Sequence, residues 1–293
     1  TMKKLIYLFL ALLIVACSSD DGGGDNESNA CNGDNPIYLA NNGVTIKACD
    51  DAEVYSTGVI NGITYTVVNE IILRDMLANE EDVTRIVTTK VTDMSEMFAR
   101  PDSFNQPIGN WDVSSVTDMR FMFLQADSFN QPIGNWDVSS VTDMSYMLGD
   151  SFNQPIGNWD VSSVTNMRNM FWNNSSFNQP IGDWDVSSVI NMEEMFRRAD
   201  SFNQPIGNWD VSSVNDMEWM FIDASSFNQP IGDWDVSNVT NMRRMFSRYL
   251  GAGSVFNQDI SNWDVSNVTN CMSFSDEAPL TEANTPNFTN CTP

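Results

Sequence analysis

Histidine is missing from all 293 residues. The commonest general base and the commonest transition-metal ligand are therefore both excluded. Positive charge is scarce as well: 14 lysines and arginines stand against 39 aspartates and glutamates, a net charge of −25. Such a surface repels nucleic acid and anionic membranes and favours cationic partners or divalent ions. The apolar run from Leu5 to Ala16 is too short to span a membrane, which takes about 20 residues. Cysteine is absent between Cys49 and Cys271, the stretch that holds the most regular part of the chain.

What is present begins with a leader. Met2-Lys3-Lys4 followed by the apolar run has the shape of a signal peptide over residues 1–16. The run ends in Ile14-Val15-Ala16-Cys17, which is similar to the lipobox of bacterial lipoproteins. That resemblance implies a lipidated Cys17 as the first mature residue, so that an acyl chain is the only membrane contact. Residues 17–35 are mostly Asp, Gly, Ser and Asn, the composition of a flexible acidic tether. Ser18-Ser19-Asp20-Asp21 is similar to the acidic export tags of surface lipoproteins in some Gram-negative bacteria. It implies the outer membrane and its exposed face.

With Cys17 acylated, four cysteines remain, one pair on each side of the cysteine-free stretch. Export into an oxidising compartment makes Cys31–Cys49 and Cys271–Cys291 the expected disulfides. Each closes a loop of about 20 residues, worth roughly 3 kcal/mol on the chain-entropy account. A zinc site is the alternative, but the spacing is not C-x-x-C and histidine is lacking.

Residues 36–82 read as a small α+β cap. Val44-Thr45-Ile46-Lys47 alternates, Asn61-Gly62 is a hairpin turn, and Ile63-Thr64-Tyr65-Thr66-Val67-Val68 is strand-like. Asn69 is placed to cap a helix running to about Asn79. From Val83 the chain repeats. Ser103-Phe104-Asn105-Gln106-Pro107-Ile108-Gly109-Asn110-Trp111-Asp112-Val113-Ser114 returns nearly unchanged from Ser128, Ser151, Ser176, Ser201 and Ser226, and loosened from Val255. Trp111, Trp136, Trp159, Trp184, Trp209, Trp234 and Trp263 mark it at spacings of 25, 23, 25, 25, 25 and 29 residues. A period of this size means an array in which each copy stacks on the next.

Within one copy, alternation around Trp111 and Val113 predicts a short strand. From Val116 the apolar spacing becomes three and four, which predicts a short helix, with Ser115/Asp118, Ser140/Asp143 and Ser213/Asp216 as capping boxes. The expected fold is an α/β solenoid of about eight coils over residues 83–275. Each coil carries one short parallel strand and one short helix, between the N-terminal cap and a capping tail at 276–293. The methionine pairs such as Met119/Met122 have helical spacing and are assigned to packing. The two-residue loss near Leu148-Gly149 and the four-residue gain around Tyr249 to Ser254 fall at a corner where length changes cost least.

The recurring F-N-Q-x-I-x-x-W-D-V-S-x-V-x-x-M-x-x-M-F, together with Gly62-Ile63-Thr64-Tyr65-Thr66-Val67-Val68 ahead of it, resembles the BspA-like leucine-rich-repeat surface proteins of bacteria. The resemblance implies a leucine-rich-repeat-like solenoid with Ile108, Trp111 and Val113 in the leucine positions, cell-surface exposure, and in some members adhesion. The chain departs from the pattern where Val116 replaces the usual ladder asparagine, and Asn105 with its equivalents is the candidate to take that role.

Two sets of residues are candidates for function. Asp112, Asp137, Asp160, Asp185, Asp210, Asp235 and Asp264 share one repeat position and should stand side by side. Carboxylates about 5 Å apart repel by roughly 3 kcal/mol at an effective dielectric near 20, so something must offset them. Either each accepts a bond from a following serine N–H, or the row forms a cation- or ligand-binding strip, with Ca²⁺ the fitting ion. The second set, Phe121, Tyr146 and Trp219, lies two residues after the first methionine of a pair and is expected to be exposed to a partner. Equivalent aspartates in a row do not make the single non-repeated constellation that catalysis requires. The chain is therefore read as a monomeric binding protein without cofactor, a multivalent adhesion module for extracellular proteins or host and environmental surfaces, whose near-identical coils offer weak equivalent contacts that add up by avidity. The alternatives are a glycan-binding component of a surface uptake system and a ligand-free spacer.

Overall fold

The computed structural model of the protein describes Cys31 and residues 34–98, 103–248 and 253–293. The expected signal peptide, Cys17, nearly all of the acidic tether and part of the insertion after Arg248 lie outside the described residues.

The N-terminal piece is α+β. β1 (Ile37–Leu39) pairs antiparallel with β2 (Ile46–Ala48), and β3 (Thr57–Ile60) pairs antiparallel with β4 (Ile63–Asn69). Between β3 and β4, Asn61 and Gly62 have φ of 53° and 80°, the two left-handed residues that a tight hairpin turn needs. α1 (Glu70–Ala78) follows directly, its first turn capped by Asn69, whose Oδ1 accepts the Ile72 N–H at 3.1 Å. β5 (Ile86–Lys90) returns parallel to β4. The piece is tied to the first repeat: Val83 N–H donates to Gln106 Oε1 at 2.9 Å and Ile46 N–H to the Asn110 carbonyl at 2.9 Å. Cys31 and Cys49 are bonded, as are Cys271 and Cys291, each pair with Cα atoms 5.8 Å apart.

Each repeat is a run of β-turns rather than a strand followed by a helix. Trp111 N–H donates to the Ile108 carbonyl at 3.1 Å, Val116 to Val113 at 2.9 Å, Met122 to Met119 at 3.2 Å, and Ala126 to Phe123 at 3.0 Å. The residues at both ends of every one of these turns are buried. Among the described residues no α-helix follows Ala78. Phe121, Tyr146, Asn169, Glu194, Trp219 and Arg244, one per repeat, have φ between 52° and 59°, which a right-handed helix does not admit. The proposed capping boxes at Ser115/Asp118, Ser140/Asp143 and Ser213/Asp216 therefore have no helix to cap. The physical reason for the difference is simple: an i, i+3 pair of buried methionines closes a β-turn as readily as it lines a helix.

The amides that a helix would use internally go instead to the next repeat. Met119, Phe121 and Phe123 N–H donate to the carbonyls of Asp143, Ser145 and Met147 at 3.0, 2.8 and 3.0 Å. Parallel pairing is thus found at Asp118 and not around Trp111. A line of single bridges runs Asp93, Asp118, Asp143, Asn166, Asn191, Asp216, Asn241, Asn270.

Side chains complete the stacking. Trp184, Trp209 and Trp234 lie parallel with ring centres 6.5 Å apart. Each indole N–H reaches a carbonyl of the preceding repeat, as from Trp209 to Ile181 at 3.1 Å. Such pairing is what a buried indole requires. The methionine pairs from Met119 to Met245 are fully buried beneath these rings, and fill space. Asn178 Oδ1 accepts Asn203 N–H at 3.0 Å and Gln204 Nε2 at 2.9 Å, and the same bonds recur from Asn105 onward. The ladder asparagine is therefore at the Asn105 position. At Gly207 an added Cβ would lie 2.5 Å from the Pro230 carbonyl oxygen, so only glycine lets neighbouring repeats approach this closely.

Candidate functional site

The aspartate row is built as the local chemistry demands. Asp185 Oδ1 accepts the Ser187 N–H at 3.0 Å and the Ser187 hydroxyl at 2.6 Å. Ser114, Ser139, Ser162, Ser212, Ser237 and Ser266 N–H bond Asp112, Asp137, Asp160, Asp210, Asp235 and Asp264 in the same way. These serine bonds hold the carboxyls of Asp185, Asp235 and Asp264 below the usual aspartate value of 3.8. One oxygen of each carboxylate is thereby committed to its own turn. Six of the row are exposed; Asp112 is buried, because the N-terminal piece covers it. Among the described residues no group of three or more Cys, Asp or Glu is placed to hold a metal ion.

Phe121, Tyr146 and Trp219 are half-buried rather than exposed. Phe121 and Tyr146 stack with ring centres 4.7 Å apart, while Arg197, Arg243 and Arg244 lie 4.7, 5.4 and 5.9 Å from the Trp219 ring centre. The bridges bring neighbouring repeats close enough that long side chains on one turn cover the ring on the next, and the cations gain from the ring faces.

These aromatics belong to a wider face. It comprises the two middle residues of the Met-x-x-Met turn and of the Phe-x-x-Ala turn that follows. In successive repeats the first turn carries Arg120-Phe121, Ser145-Tyr146, Arg168-Asn169, Glu193-Glu194, Glu218-Trp219 and Arg243-Arg244. Every cation from residue 103 onward lies here: Arg120, Arg168, Arg197, Arg198, Arg243, Arg244 and Arg248. Many are paired, Arg168 with Glu193 at 3.0 Å, Arg243 with Glu218 at 2.8 Å and Arg197 with Glu194 at 2.6 Å. Burial pushes the Asp216 and Glu193 carboxyls up, against Asn241 and the Glu218 N–H at Asp216 and against Arg168 at Glu193.

One repeat differs from the rest. The two-residue loss leaves Met147-Leu148-Gly149-Asp150 where others have a complete Phe-x-x-Ala turn. The neighbours keep theirs, so a notch opens between Leu124-Gln125 on one side and Trp172-Asn173 on the other. Tyr146, Leu148, Gly149, Asp150 and Asn169 also line it. Asn174 stands where other repeats have Ala126, Ala199 or Ala224, and its Nδ2 bonds the Gly149 and Phe152 carbonyls at 2.9 and 3.0 Å. Burial pushes the Asp150 carboxyl up, opposed by a bond from Asn173 Nδ2 at 2.8 Å. In the sequence this place has only the look of an ordinary corner. The signal was available in Asn169, Trp172, Asn173 and Asn174, a polar run that breaks the pattern next to the deletion.

Residues 69–179, 149–252 and 247–289 match the family described as Mycoplasma protein of unknown function, DUF285. The chain belongs to this family. No curated protein and no solved structure matches it. The three matched DUF285 segments together take in α1, β5 and the whole array. The bridges, indole rows and asparagine ladder described above are thus properties of the DUF285 portion, and so is the notch.

Proposed function

We propose that this DUF285 chain is a surface lipoprotein, anchored through Cys17 at the outer membrane, whose leucine-rich-repeat-like solenoid binds extracellular proteins through the variable turn face. The BspA-like resemblance belongs to this reading. One observation carries it, the distribution of differences among the repeats. Exposed positions such as Asp185 and Asn178 stay constant from copy to copy because coil-stacking and turn bonds use them. The middle residues of the Met-x-x-Met turns, exposed at Arg120, half-buried at most others and buried at Ser145 and Asn169, carry no such side-chain bond in common and differ in nearly every copy. Arginine and aromatic side chains gather there, the types enriched at recognition surfaces, with glutamates that pair the arginines. Near-identical coils offering one repeated contact, the avidity expected from the sequence, suit this face less well than a single composite surface.

The test is binding of the full chain to purified extracellular-matrix proteins. Saturable binding to at least one is expected. Trp219→Asn and Arg168→Ser should weaken it at least tenfold, since asparagine and serine already occupy these positions in other repeats and leave the fold intact. Ser140→Ala on the constant face should change nothing. Absence of any protein ligand would refute the reading in favour of a spacer.

A further inference from the structure

The notch in the shortened repeat contains polar atoms that the protein itself does not satisfy. Asn169 is 1 % exposed, yet neither its Oδ1 nor its Nδ2 has a hydrogen-bond partner, and the same is true of the Trp172 indole N–H. A buried amide left unpaired costs free energy, and native proteins rarely leave one so. Both residues line a cavity of about 380 Å³, within the size range of small-molecule sites.

We propose that this notch binds an uncharged saccharide. Asn169 offers a donor and an acceptor side by side and Trp172 a second donor, and a sugar hydroxyl can both donate and accept. The rings of Tyr146 and Trp172, with centres 6.3 Å apart and planes at 70°, give apolar walls for the C–H faces of a pyranose. Gln125, Asn173, Asp127 and Asp150 supply further acceptors and amide donors. No lysine or arginine lines the cavity, and Arg168, above Tyr146 at 5.9 Å, is engaged by Glu193. Two carboxylates without a lining cation disfavour an anionic ligand. Asn174 of the next repeat is fixed at the edge of the notch by bonds from its Nδ2 to the Gly149 and Phe152 carbonyls. The inference goes beyond protein binding; the notch lies on the same turn face, but the residues it uses, Asn169, Trp172 and Tyr146, are not those that surround Trp219.

Isothermal titration of the full chain with glucose, galactose, N-acetylglucosamine, lactose, cellobiose and glucuronate tests it. Saturable binding of at least one neutral sugar at millimolar concentration is expected, with glucuronate weaker. Trp172→Phe, which keeps a ring and removes the N–H, and Asn169→Leu should each weaken that binding at least tenfold. Tyr146 and Trp219 show that the Asn169 position accepts a large apolar side chain. Trp219→Asn should leave sugar binding unchanged, so that failure here and failure of protein binding are told apart. The proposal is overturned if no neutral sugar binds, if glucuronate binds best, or if both notch variants bind as the parent does; a cavity filled by water alone gives the first of these results.

Discussion

Replacing Trp209 by alanine measures how much the indole row holds the array together. Trp209 is 3 % exposed, stacks on Trp184 and Trp234 at 6.5 Å each, and bonds the Ile181 carbonyl. Truncating a buried tryptophan costs about 3–5 kcal/mol. The lost indole bond belongs within that figure, because the Ile181 carbonyl keeps the Trp184 N–H at 3.3 Å and is not left wholly unpaired. Trp263 gives the internal comparison, since it meets only one tryptophan, Trp234 at 6.3 Å. An aromatic pair is worth about 0.5–1.5 kcal/mol beyond area burial, so Trp263→Ala should cost less than Trp209→Ala by about that much. Urea unfolding followed by far-ultraviolet circular dichroism reads both without relying on tryptophan fluorescence. A loss for Trp209→Ala below about 1 kcal/mol, the size of an ordinary substitution, would show that repeats cohere through backbone pairing and not through the indoles.

Two further outcomes follow from the carboxylates. Asp216 and Glu193, with carboxyls raised above 3.8 and 4.5 by burial, contribute stability below those values that is lost as pH rises through their elevated ones. Asp185 and Asp235, with carboxyls lowered by serine bonds, contribute stability above 3.8 that is lost only at more acid pH. Urea midpoints should therefore rise from pH 7 into mild acid and then fall below about 3.8; Asp216→Asn should flatten the rise, and a steady decline from pH 7 downward would contradict the assignment. Calcium chloride should shift the melting temperature no more than sodium chloride of equal ionic strength, because the aspartate row is already engaged by serines; a calcium-specific increase would restore the cation strip.

Much of the fold was legible because its signals are local. The Asn61-Gly62 hairpin, the Asn69 cap and α1 depend on neighbours a few residues apart, and each was found within about a residue. Strict recurrence identified the repeat and the buried tryptophans and methionines, and the departure of Val116 from the leucine-rich-repeat pattern pointed to the Asn105 ladder, whose recurrence follows because a position that must bond its own copy in the next repeat tolerates few other side chains. The helix and the strand within each copy were misplaced for the opposite reason. Met119 and Met122 face inward in either conformation, and what decides between them is the destination of the N–H groups of Met119, Phe121 and Phe123. That destination lies 24 residues away, on Asp143, Ser145 and Met147.

The sequence by itself therefore determined the period, the inward side chains and the disulfide pairs, because periodicity and spacing are properties of the chain alone. Only the tertiary structure decided that turns replace helices, that the aspartates are spent on serines, and that Asn169 is buried at the edge of a notch with no partner from the protein itself. Each depends on which neighbouring repeat an atom meets, and a missing pair of residues in one copy changes what the copies on both sides of it can reach.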